Sequence, residues 1–136
     1  MAQSTAHLER ALCEGYREEI DLYTQAVALC ECHRAAPETP VESWLPGLLG
    51  LLDRVAAVED RIAMAKAEWR RQGRSAGAAL ASCLNRVAEL LRALAAAVDG
   101  VMVALQARRE QLPAQLDALA RSQRVQQAYQ RVARAS

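Results

Sequence analysis

Apolar residues return every three or four positions along almost the whole of this 136-residue chain, and that spacing admits little besides long helices packed side by side. The first run is Leu8, Leu12, Tyr16, Ile20, Tyr23, Val27 and Cys30. It predicts a helix over 5–35 that ends ahead of Pro37 and Pro40, which cannot continue it. Glu14, Glu18, Glu19 and Asp21 fall mostly off this stripe and are expected on a solvated face.

The second run, Leu45, Leu48, Leu52, Val55, Val58, Ile62, Ala65 and Trp69, has the alternating spacing of a bundle seam. Thr39-Pro40-Val41-Glu42 has the form of a capping box with proline at the first helical position, and Ser43 offers a second cap. A short turn near 40–44 is therefore expected, then a helix over 44–72 with Pro46 in its first turn. Arg70, Arg71 and Gly73 read as its stop, cations at the negative helix end followed by a residue suited to the left-handed cap.

Ser75 is the expected cap of a third helix over 75–108, with the seam Leu80, Leu84, Val87, Leu91, Leu94, Val98, Val101 and Leu105. The next seam position is Arg108, where the buried core should end. Beyond it Leu112, Leu116 and Leu119 resume the pattern through an amphipathic extension over 109–133, in which Pro113 is expected to kink the helix rather than break it. The fold expected is one all-α domain over 1–136: an antiparallel three-helix bundle whose long third helix is kinked near Pro113 or continues as a fourth. The extension either projects as an arm or folds back on the core.

Composition narrows the function classes. Hydrophobic residues make up 52% of the chain, yet Phe is absent and aromatics are 4%, so the core must be Leu, Val and Ala in closely packed helices. Residues 1–60 carry 4 Arg against 11 Asp and Glu, net −7, and residues 61–136 carry 12 Arg and one Lys against 5, net +8. Acidic early helices beside a basic late one would complement each other; a basic arm meeting an acidic partner is the sharper reading. Nucleic acid is not expected, because no reader motif or interleaved aromatic accompanies the arginines. Met1-Ala2-Gln3-Ser4-Thr5-Ala6-His7 lacks the basic start and apolar stretch of an export signal. The apolar stretch Ala93–Leu105 contains Asp99 and is too short to span a bilayer. A cytoplasmic location, no membrane insertion and four free thiols are the expectations.

No constellation for chemistry emerges. Cys30-Glu31-Cys32-His33 offers zinc-type ligands, but cysteines two apart point about 200° from each other on a helix and no second pair follows. No Glu-x-x-His pair suits a di-iron bundle, His7 and His33 stand at the ends of one helix without a nucleophile, and Gly47, Gly50, Gly73, Gly77 and Gly100 make no phosphate-binding spacing. Neither enzyme activity, a metal nor a cofactor is expected. An interaction surface remains, and the candidate partner-binding residues are Leu112, Leu116, Leu119, Val125, Tyr129 and Val132.

Three segments carry a resemblance: Tyr16-Arg17-Glu18-Glu19-Ile20-Asp21-Leu22-Tyr23, Ala67-Glu68-Trp69-Arg70-Arg71, and Arg121-Ser122-Gln123-Arg124-Val125-Gln126-Gln127-Ala128-Tyr129-Gln130-Arg131. Together the chain resembles the FlgN-type flagellar export chaperones, small helical proteins of type III protein export that serve hook-associated subunits. The resemblance implies that the chain binds a terminal helical segment of such a subunit, prevents premature assembly and brings it to an export-gate protein. It also implies that the C-terminal helix meets the cargo and that Tyr129 is the gate-docking residue. The Pro-rich connection from Pro37 to Pro46 departs from the family pattern. The alternative is a structural or adaptor bundle, a coiled-coil-like homodimer joined through the same tail.

Overall fold

The computed structural model describes residues 4–111 and 131–134. The protein is an all-α helical bundle of three long helices, α1 (Thr5–Ala35), α2 (Val41–Gln72) and α3 (Ala78–Gln111). The described residues contain no strand. Pro113 and most of the extension lie outside the described residues, as does the choice between a kink and a fourth helix.

Local chemistry sets most of the ends. Ser4 caps α1, its hydroxyl accepting the His7 N–H at 3.2 Å, which satisfies one of the donors that a helix start leaves open. After Ala35 the chain turns through residues 36–40, with the Ala36 N–H shared between the Cys32 and His33 carbonyls. Gly73 ends α2 in the left-handed region at φ 63, its N–H bonded to the Arg70 carbonyl. Glycine alone takes that conformation without steric cost.

Two starts differ from the sequence reading. α2 begins at Val41 rather than 44, with Pro40 as its cap and no side-chain capping bond. The Ser43 hydroxyl instead donates to the Pro40 carbonyl at 2.7 Å. Helix forms this early because it seats Trp44 in the core, 8% exposed, with its ring centroid 4.6 Å from that of His33. Pro46 thus stands inside α2. Similarly, α3 begins at Ala78, and Ser75 makes no cap. Gly77 precedes the first turn, its carbonyl accepting the Ala81 N–H, while its own N–H is satisfied by Glu9 of α1 at 2.9 Å.

Helix α1 is the centre of the bundle. It packs along its whole length on α2 and on α3, whereas α2 and α3 make no comparable backbone approach to each other. Gly15 meets Ile62 and Val58 on one side. Glu9 meets Gly77, and Arg34 meets Gly100, on the other. Successive helices are therefore antiparallel, and α1 and α3 run in the same direction. Arg108, half-buried where the seam was expected to end, donates to the Pro37 carbonyl and ties α3 to the connection between α1 and α2.

Because α1 has neighbours on two sides, its buried arc is wider than one stripe. Cys13, Gly15, Glu19, Leu22 and Ala26 are buried as well as Leu8, Leu12, Tyr16, Tyr23 and Cys30. Glu19, expected on the solvated face, is 1% exposed. Glu14, Glu18 and Asp21 are exposed as expected. On α3 the buried row is Leu80, Cys83, Leu90, Leu94, Ala97 and Val101, turned by about one residue from the expected seam. Leu84 and Leu91, expected in the core, are 40% and 45% exposed. The apolar arc of α3 is broader than α1 can cover, so α1 takes one edge of it.

Candidate functional site

The second apolar row of α3 is Leu84, Leu91, Val98 and Leu105, at heptad spacing beside the buried row. Its later members, Val98 and Leu105, are half-buried against the larger core, as are Leu45 and Leu52 of α2. Continuing the α2 row by sevens from Leu45 and Leu52 gives Glu59 and Lys66, not leucines. The two rows run antiparallel. Leu84 and Leu91 on α3 remain exposed, and Glu59 and Lys66 on α2 are part-exposed. Contacts through α1, Gly15 with Ile62, Leu29 with Gly47, and Glu9 and Arg34 with Gly77 and Gly100, bring Leu84 about level with Glu59 and Leu91 about level with Leu52.

Two more large apolar side chains are uncovered on α2, Leu49 at 41% and Met64 at 86%, and Val103 of α3 is 67% exposed. Scattered singly such residues are ordinary. Leu84 and Leu91 differ because they are two turns apart on one helix face, the spacing at which a partner helix inserts its own side chains.

A polar cluster stands behind that face. The Lys66 ammonium donates to Glu59 at 2.8 Å. Glu59 is hydrogen-bonded to Glu19, and burial, that bond and the Glu59 charge push the Glu19 carboxyl up to about 7. Partial burial opposes ionisation of Glu59, but hydrogen bonds from Lys66 and Glu19 hold it below the usual carboxylate range. Burial also raises the phenols of Tyr16 and Tyr23, with the Glu19 and Glu59 charges adding to it. The second Glu19 oxygen, Oε2, has no hydrogen-bond partner.

The other end of the bundle holds His33 and Trp44, both buried, with neither imidazole nitrogen nor the indole N–H bonded. Burial, followed by the Arg108 charge, lowers the His33 pKa. In the Cys30-Glu31-Cys32-His33 segment, Cys30 is buried and Cys32 exposed, the divergence expected of a two-residue step on a helix. Among the described residues, no group of three or more His, Cys, Asp and Glu is placed to hold a metal ion. No described helix is long and apolar enough to cross a membrane.

Of the candidate partner-binding residues, Leu112, Leu116, Leu119, Val125 and Tyr129 lie outside the described residues. Val132 is described, on a helical backbone over 131–134, and is buried at 9% exposure. Sequence reasoning did find Leu84 and Leu91 as apolar positions, but placed them inside the core. No protein-family model, curated protein or solved structure matches the chain.

Proposed function

We propose that the protein is a FlgN-type export chaperone of the flagellar type III secretion system. In this reading it holds a terminal helical segment of a hook-associated subunit and keeps that subunit from assembling early. The observation that carries the reading is the uncovered pair Leu84 and Leu91, two turns apart on α3 beside an α2 wall that does not close over them. An amphipathic helix laid along this face would bury both, each half-exposed leucine contributing about 1 kcal/mol. The tail residues Leu112, Leu116, Leu119, Val125 and Tyr129 keep the cargo role that the resemblance implies, and Tyr129 the role of docking to an export-gate protein; Val132, buried in the bundle, is left out of that surface. No step of this function requires covalent chemistry, a metal or a cofactor, and the chain acts in the cytoplasm.

The test mixes purified chain with the terminal helical segment of a hook-associated subunit and measures mass by light scattering after gel filtration. A stoichiometric complex is expected, and Leu84→Asp with Leu91→Asp should weaken it while leaving the unfolding transition in place. A chain that ignores the subunit and associates with itself through the same residues would replace the chaperone with the adaptor homodimer.

A further inference from the structure

The interior of the bundle is two apolar clusters. One contains Leu12, Cys13, Tyr16, Ile62, Leu80 and Cys83; the other contains Leu22, Tyr23 and Ala26 of α1 with Val55 and Val58 of α2 and Leu90 and Leu94 of α3. Between them lies a polar layer. Glu19 enters it from α1, with Tyr16 and Tyr23 about one turn to either side, and Glu59 and Lys66 enter from α2.

A carboxyl group cannot bond to a carboxylate without a proton between them, and two ionised carboxylates in contact repel each other, with little screening at Glu19, which is buried, and more at Glu59, which is part-exposed. The Glu19–Glu59 contact therefore holds one proton. The cation is Lys66, with Arg70 acting on the pair from further along α2. At this level α3 contributes Val87, which packs against both clusters and carries no charge. The charges on the layer thus sit entirely on α1 and α2. An ion pair that does bridge these helices, Glu18 with Arg61, is exposed.

We propose that this layer is a proton-operated latch between α1 and α2: with one proton shared by Glu19 and Glu59 the helices are held together, and its loss loosens α2 while α3 stays packed on α1. Removing the proton leaves two negative charges facing one ammonium, and the repulsion acts across one interface alone. The elevated Glu19 carboxyl puts this loss near neutral pH. The inference does not depend on the identity of any partner.

Hydrogen exchange on the full chain tests it. Protection of α2 amides around Glu59 should fall about tenfold more than that of α3 amides around Val87 between about pH 6 and about pH 8, after correction for intrinsic exchange. Glu19→Gln, which keeps the hydrogen bond and cannot ionise, should abolish the difference. Equal loss in α2 and α3, or no loss in either, would overturn the latch. Should the variant fail to fold, the carbon-13 carboxyl resonance of Glu19 in the unaltered protein decides the matter: an apparent midpoint near 7 supports the latch, and a midpoint in the ordinary glutamate range near 4.5 sinks it.

Discussion

Gly15 of α1 lies so close to Ile62 of α2 that a Cβ built on the glycine would stand 2.6 Å from the isoleucine Cγ2. The obstacle is a branched methyl buried in the smaller cluster, not the end of a flexible chain, so the helices themselves would have to part.

Gly15→Ala should therefore destabilise the fold by about 1–3 kcal/mol, although alanine is the better helix former by about 1 kcal/mol. Gly50→Ala is the control, because nothing lies within 4 Å of a Cβ at that exposed position of α2. It should stabilise by up to about 1 kcal/mol. Urea unfolding of the two variants should give midpoints displaced in opposite directions, and a shift of the same sign would contradict the close approach.

The start of α3 depends on a side chain 68 positions away in the chain. Glu9→Ala removes the acceptor of the Gly77 N–H and should cost about 1 kcal/mol, in the range of a lost helix cap. Exchange of the Gly77 amide should quicken more than that of amides in the middle of α3. Ser75→Ala should change stability little, and a larger loss there than at Glu9 would restore the cap first expected from the sequence.

Two buried groups should tilt the pH dependence of stability in opposite directions. The His33 pKa is lowered from 6.5, burial being the larger cause and Arg108 the smaller. The unfolded chain then binds the proton more readily, and the stability due to neutral His33 is lost as pH falls below 6.5. The Glu19 pKa is raised from 4.5 to about 7, so its contribution is full below 4.5 and is lost as pH rises to about 7, on the order of 1–3 kcal/mol. Thermal midpoints across this range should show His33→Phe flattening the acid limb and Glu19→Gln the neutral limb. A variant that moved the opposite limb would refute its assignment.

Thiol reactivity should separate one cysteine from the rest. The chain has four, of which Cys32 is exposed and Cys13, Cys30 and Cys83 are buried. Burial raises the Cys13 and Cys30 thiols, and the adjacent Cys83 adds to the effect on Cys13. A disulfide reagent should titrate one fast thiol in the folded protein and four in denaturant, with Cys32→Ser removing the fast one. Two or more fast thiols in the native protein would mean that the bundle opens more readily than its packing implies.

What the sequence determines by itself is local. The recurrence of apolar residues at three and four positions, the prolines at 37 and 40 and the glycine at 73 are enough to place three long helices and to end the first two correctly, because helix geometry and turn chemistry act over a few neighbouring residues. Which face of each helix becomes interior is decided by how many neighbours it has, and only the tertiary structure supplies that. Placing α1 between the other two widened its buried arc to include Glu19. The same arrangement turned α3 so that Leu90 and Ala97 went inside while Leu84 and Leu91 stayed at the edge. Glu9 reached Gly77 for the same reason. A periodic pattern reports the direction of an apolar arc, but the arc that is covered depends on the angle subtended by partners far away in the chain, and no local spacing encodes it.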